Sequence, residues 1–269
     1  MEKTREILVS NDDGFRARGL RVLAEMLRGY GNVTVVAPCE PQSGKSVSLT
    51  LDKPLMIEQP VQEPAAGERG SLRVYTLGGT PADCAKLGIN LYLSEGGLPD
   101  LLVSGINHGS NASAASIYSG TLGATTEGAL YGIPSVGFSI DTHAEDPDFG
   151  CVLRYGPMIL DRVLEDGLRK GVFLNVNFPD LPADQVRGIR LASQGAGRWV
   201  KEFDHRVTLR GKHYFWMVGE FEDLEEEEAP DADHRLVKSG YVSVVPHRVD
   251  TTDYAELERL RQRWSFEIR

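Results

Sequence analysis

Apolar and polar positions along the chain follow two alternating periods. "REILVS" (residues 5–10) is a short apolar run, and Leu20, Leu23, Ala24 and Leu27 then recur at i, i+3, i+4 and i+7, which predicts a helix. "NVTVVAP" (32–38) is β-branched and ends at a proline. "VSLTLDKP" (47–54) and "SLRVYTL" (71–77) alternate as strands do. "TPAD" supplies Thr80 as N-cap, Pro81 at the first helical position and Asp83 in the first turn. "PDLLVSGIN" (99–107) is a further apolar run, "YSGTLGATTEGALYG" (118–132) a loop entering a helix, and "PSVGFSI" (134–140) a strand. Val152, Tyr155, Ile159 and Val163 mark another helix, and "VFLNVNFP" (172–179) another strand.

Strands alternating with helices require crossover connections. The expected fold class is therefore α/β: a Rossmann-like, mostly parallel sheet with helices on both faces. Ligands in such sheets sit at the carboxyl ends of the strands. The polar clusters Asn11–Gly14, Ser104–Asn107 and Asn175–Asn177 fall at or near those ends, and Pro38–Ser43 follows one. After about residue 188 the texture changes. "VTLRGKHYFWMVG" (207–219) reads as a β-hairpin turning near Arg210-Gly211-Lys212, and "TTDYAELERLRQRW" (251–264) as a capped, charged helix. Glu220 to Glu228 holds seven acidic residues in nine and reads as a solvated loop. The expected organisation is a single α/β domain over 1–269, with a core over about 5–190 and an appendage over about 195–269.

The formal net charge of −10 argues against a broad nucleic-acid face, although an acidic protein can still bind a small phosphate through amides or a metal. "MEKTREILVSNDDG" offers no signal-peptide stretch, and no run approaches the length of a membrane span. Cys39, Cys84 and Cys151 are odd in number and widely spaced, which suits free thiols in a cytoplasmic setting.

"ILVSNDDG" (7–14) ends an apolar strand with two adjacent carboxylates. At about 4 Å and an effective dielectric near 20, such charges repel by roughly 4 kcal/mol, which water or a cation must offset. An Asp-rich cap for the following helix is one reading of Asp12 and Asp13; convergence on one site is the other. Combined with a serine hydroxyl and an asparagine carbonyl they make an all-oxygen set, suited to Mg²⁺, Mn²⁺ or Ca²⁺. Ser43 and Gly44 form a polar turn after the second strand. Ser119, Gly120 and Thr121 precede a helix whose free amides and dipole suit a phosphate.

Several rivals lack their residues. The Walker pattern needs a glycine five positions before Gly44, where Cys39 stands. "GTLGA" is not the GxSxG elbow, the six histidines show no metal spacing, and no DxDx[TV] pattern supports a covalent aspartyl-phosphate. A signalling receiver domain would need a phosphoacceptor aspartate after the third strand and a lysine after the fifth, and neither is convincingly present. A nucleotide-binding regulatory protein without turnover is the remaining alternative, which binding without hydrolysis would reveal.

The ordered set "ILVSNDDG", "VVAPCEPQSGKSVSLTL", "GTPADCAKLGIN", "LLVSGINHGSN" and "IYSGTLGATTEG" resembles the stationary-phase survival protein (SurE) family of metal-dependent 5'-nucleotidases. "GYVSVVPHRVDTTD" (240–253) resembles its late strand. The resemblance implies one divalent cation per subunit, Mg²⁺ or Mn²⁺, on Asp12, Asp13, Ser43 and Asn107. It implies that Asn11, Gly44, Ser104, Gly105, Asn111, Ser119, Gly120 and Thr121 surround the phosphate. It further implies hydrolysis of nucleoside 5'-monophosphates, with 3'-nucleotides and polyphosphate as further substrates, in a homodimer or homotetramer that exchanges the late hairpin and C-terminal helix. Two departures stand out: Cys39 replaces a common aspartate, and "ASAAS" (112–116) replaces the usual Leu-Gly and acidic residues after Asn111.

Overall fold

Side chains alternate along β1 (Arg5–Ser10), so Ile7 and Val9 face one way and Leu8 the other; all three are buried. β2 (Gly31–Pro38) and β5 (Leu101–His108) repeat the pattern. Val33, Val35, Leu101 and Val103 join Ile7 and Val9, while Val36 and Leu102 join Leu8. A strand apolar on both faces needs cover on both. α1 (Arg18–Leu27) and α5 (Gly150–Asp166) pack on the first face, and α2 (Pro81–Ser94) and α4 (Gly120–Tyr131) on the second. This computed structural model describes residues 4–225 and 229–266.

The sheet has nine strands, in the order β3-β4-β2-β1-β5-β6-β7-β13-β8. Its further members are β3 (Ile57–Glu63), β4 (Leu72–Leu77), β6 (Ser135–Asp141), β7 (Val172–Pro179), β8 (Ile189–Leu191) and β13 (Val242–Arg248). The run from β4 through β2, β1, β5 and β6 to β7 is parallel, as expected. β3 adds antiparallel at one edge, with Pro60 inside a register shift between Glu58 and Val61; β13 adds antiparallel beside β7. The chain winds outward from β1 to one side and from β5 to the other, so the β1/β5 junction is the topological switch point.

The "TPAD" signal is realised in full: Thr80 accepts from the Asp83 amide and the Asp83 carboxylate accepts from the Thr80 amide. The hairpin expected around 210–212 is β10 (Phe203–Val207) with β11 (His213–Met217). A second ribbon pairs β9 (Gly197–Val200) with β12 (Glu220–Asp223). Short helices α3 (Ala115–Tyr118) and α6 (Asp233–Lys238) and the expected C-terminal helix α7 (Tyr254–Arg263), capped by Asp253, complete the elements.

Two expectations fail. Residues 47–52 form no strand, because their backbone is bonded elsewhere: Ser48 O accepts from Thr80 Oγ1, and the Thr50 amide donates to the Asp83 carboxylate. The acidic run is not all loop. Glu220–Asp223 is a strand, with Glu222 paired to Arg198 and Glu220 to Lys201; residues 226–228 lie outside the described residues. No helix among the described residues is long and apolar enough to cross a membrane.

Candidate active site

The switch point carries the acidic pair. After β1 the chain turns at Asn11, whose side-chain amide donates to Gly14 O at 3.0 Å, while its Oδ1 is buried without a donor. Asp12 is 3% exposed. Its main-chain oxygen accepts from the Gln42 amide at 2.7 Å, which draws the Pro41–Lys45 turn alongside. Asp13 is less buried, and its Oδ2 accepts from the His108 amide at 3.0 Å, beyond the end of β5's buried run. Asp12 and Asp13 do not cap α1: the N-cap of that helix is Ala17, with no side-chain cap and no acidic residue in its first turn.

α4 meets this pair end-on. Ser119 caps the helix, its hydroxyl accepting from the Leu122 amide at 3.1 Å. Thr121 Oγ1 donates to Asp12 Oδ1 at 2.5 Å. Gly120 lies so close that a Cβ there would sit 2.8 Å from Asp12 Cβ and 3.1 Å from Asp12 Oδ2. Only glycine lets the positive end of the helix dipole approach the carboxylate this closely. Burial, then the neighbouring Asp13 charge, pushes the Asp12 carboxyl up to about 6, against the partial relief of the Thr121 bond. Burial raises Asp13 as well, opposed by the His108 amide.

The remaining residues divide. Asn107 is mostly buried, and its side-chain nitrogen donates to Gly109 O at 2.7 Å, leaving Oδ1 for another partner. Ser10 and Ser104 are register partners on β1 and β5, and both hydroxyls are buried without a partner. Gly105 is required by packing: its φ is +136°, and a Cβ would lie 2.3 Å from Phe138 O. Ser43 and Gly44 are exposed on the turn held by the Asp12–Gln42 bond; Gly44 has φ +74° and open space around it. Asn111 is committed inward, its amide donating to Asn177 Oδ1 at 2.7 Å and its side chain to Ser139 Oγ at 2.8 Å. Asn175 donates to Asn111 O at 2.9 Å. Asn175 and Asn177 are thus a buried anchor for the loop after β5. The only sequence signal for this was two asparagines at i, i+2 in an apolar strand. The backbone amides of Gln42 and His108, which hold the acidic pair, left no signal at all.

The Asp12 and Asp13 carboxylates, with the Asn107 side-chain oxygen next to the His108 amide that binds Asp13, are oxygen donors of the kind a hard divalent cation takes, and no cluster of three or more histidine, cysteine or acidic side chains adds to them among the described residues. Cys39 is exposed. With Glu40, Phe15 and Met56 it lines a cleft of about 410 Å³ beside the turn after β1. A larger apolar cavity of about 500 Å³, lined by Leu20, Val35 and Val74, lies between α1 and β4; it shares Phe15 with the first cleft and includes neither aspartate.

Fold and site together define a doubly wound α/β protein with an acidic, oxygen-lined site where its two halves diverge. Residues 7–201 match the family described as Survival protein SurE, and the chain belongs to that family. It is 42% identical over 262 residues to the 5'-nucleotidase SurE of Phocaeicola vulgatus, covering 97% of each chain. It is 40% identical over 271 residues to the 5'-nucleotidase SurE of Caldanaerobacter subterraneus subsp. tengcongensis, covering 100% of each. The crystal structure of the SurE protein from Aquifex aeolicus superposes with a TM-score of 0.78 at 34% identity, covering 96% of this chain and 98% of that one.

Proposed function

We propose that the chain is a 5'-nucleotidase that hydrolyses nucleoside 5'-monophosphates to nucleoside and phosphate, using one divalent cation per subunit, Mg²⁺ or Mn²⁺. The observation that carries this reading is the buried Asp12 carboxylate, pressed between Asp13 and the N-terminus of α4. The names of the relatives, 5'-nucleotidase SurE, supply the substrate class.

Asp12, Asp13, Ser43 and Asn107 would hold the cation, which when bound polarises the phosphoryl group and acidifies a water. The chain's own residues do the rest. The Thr121 amide is turned to Asp12, and the positive end of the α4 dipole favours the substrate dianion and the charge that develops on its non-bridging oxygens. Asn11, Gly44, Ser104, Gly105, Asn111 and Ser119 shape the walls around that phosphate. Asp12 accepts the proton of the water that attacks phosphorus as the bond to the 5'-oxygen breaks, and that oxygen takes a proton from solvent to leave as the nucleoside hydroxyl; Asp13 is the second choice as base. 3'-Nucleotides and polyphosphate are proposed as further substrates.

The chain is further read as one domain acting as a homodimer or homotetramer in the cytoplasm. Phe203, Trp216 and Met217 on the β10–β11 hairpin are 63%, 60% and 74% exposed, an apolar surface that a second subunit would cover. The partners are small-molecule nucleotides, with no stable nucleic-acid binding and no membrane.

The test is phosphate release from a panel of nucleoside monophosphates and polyphosphate, with Mg²⁺, Mn²⁺ or chelator, repeated for Asp12→Asn and Asp13→Asn. Metal-dependent release that both variants lose is the expected result. Near-normal turnover in both variants would overturn the reading, as would no release from any monophosphate.

A further inference from the structure

The C-terminal part of the chain reaches back to the site through one buried carboxylate. Asp233, the first residue of α6, has no exposed surface, and its ring neighbour is the His234 imidazole, whose Nδ1 lies 3.6 Å from Oδ1. Backbone amides hold it. The Ser113 amide lies 3.1 and 3.0 Å from its two oxygens, and the Gly195 and His234 amides donate to Oδ1 at 3.0 and 2.8 Å. A buried anion satisfied by converging N–H groups is a strong local tie, because each donor would otherwise be left unpaired in a dry environment.

The tie is tight around Ser113 as well. Ser113 is fully buried and holds a left-handed φ of +54°, unusual for a residue with a side chain. Its hydroxyl donates to Gly195 O at 2.7 Å, and a Cβ on Gly197 would sit 2.9 Å from that hydroxyl. Asp233 therefore joins three segments far apart in sequence: the loop after β5, the lead-in to β9, and the start of α6.

The loop it grips leads to the acidic pair. Gly109 O receives the side-chain nitrogen of Asn107, and the His108 amide donates to Asp13. Asn111, tied from the sheet side by Asn175 and Asn177, continues the loop toward Ser113, where Asp233 ties it from the other side. We propose that Asp233 is a positioning residue for the nucleotidase reaction: it fixes the 109–113 loop so that Asn107 and Asp13 keep their mutual geometry. This inference rests on the nucleotidase reading given above. It makes the segment beyond β8 part of the site's support, although it supplies no group to the substrate.

Asp233→Asn tests it. The asparagine nitrogen would face amide donors, so part of the cradle is lost with almost no change in volume. The KM for adenosine 5'-monophosphate and the Mn²⁺ concentration for half-maximal rate should each rise roughly tenfold, with kcat changed by less than about threefold. Amide hydrogen exchange in residues 109–116 should accelerate at least about tenfold, while β1 and β2 stay protected. Ser113→Ala, which removes only the hydroxyl tie to Gly195, should move the same quantities in the same direction by about threefold, and it serves should Asp233→Asn fail to fold.

A fall in kcat with both half-saturation constants unmoved would mean that Asp233 only maintains the folded fraction, and would overturn the proposal. Unchanged exchange over 109–116 in the variant that folds would overturn it too. If the native chain releases no phosphate from any monophosphate, the nucleotidase reading fails by itself, and the exchange measurement still decides whether Asp233 holds the loop.

Discussion

Replacing Asp12 by asparagine should make the metal-free protein more stable while removing its activity. Burial and Asp13 raise the Asp12 carboxyl from 3.8 to about 6. One pKa unit corresponds to about 1.4 kcal/mol, so ionising this side chain in the folded protein costs about 3 kcal/mol more than in the unfolded chain. The sign follows from proton binding. Between 3.8 and about 6 the folded state holds the proton more tightly, so this contribution to stability is fully present below 3.8. It is lost as pH rises through about 6 and stays lost above it. Asparagine resembles the protonated acid and keeps the oxygen that accepts from Thr121, so the variant should escape that loss. At about pH 7.5 in chelator, Asp12→Asn should melt roughly 6–12 °C above the native chain, and at about pH 4 the two should nearly coincide. Adding Mn²⁺ should raise the native melting temperature at neutral pH and leave the variant almost unmoved. Thermal melts followed by circular dichroism provide the assay. A variant that melts at or below the native chain in chelator at neutral pH would refute the reasoning.

Two further outcomes follow from the same geometry. Gly120→Ala places a Cβ 2.8 Å from Asp12 Cβ, so the carboxylate or the helix terminus must shift. Steady-state phosphate release should fall by about a hundredfold or more, with a stability loss of about 1–3 kcal/mol in denaturant titration. Cys39 is exposed, while burial raises the thiols of Cys84 and Cys151. Brief alkylation of the native protein should therefore label Cys39 alone by peptide mass spectrometry, and denaturant should expose the other two.

The core of the fold was legible because its signals are local and periodic. The i, i+3, i+4, i+7 spacing of Leu20 to Leu27 and the Thr80-Pro81-Asp83 cap each sit within one turn or two of the element they specify. Residues 47–52 misled because alternation records which side chains are apolar and not where backbone bonds go. Here those bonds run to Thr80 and Asp83. The acidic run was ambiguous for a related reason: only the cross-strand Arg198 and Lys201 make Glu222 and Glu220 suitable for a strand. At the site, two adjacent aspartates after a strand were conspicuous, but the choice between helix cap and ligand site depended on where α1 starts. Asp233 was invisible. It is one aspartate in "PDADH", and its meaning comes from amides 38 and 120 residues away.

The two borders of the nine-stranded sheet set how copies of this chain can meet. At one border Pro60 interrupts β3 beside a register shift, and a proline offers no amide to an incoming strand. At the other, β8 spans only Ile189–Leu191, too short to template a neighbour. Growth by laying sheet against sheet in one continuous ladder is closed at both margins.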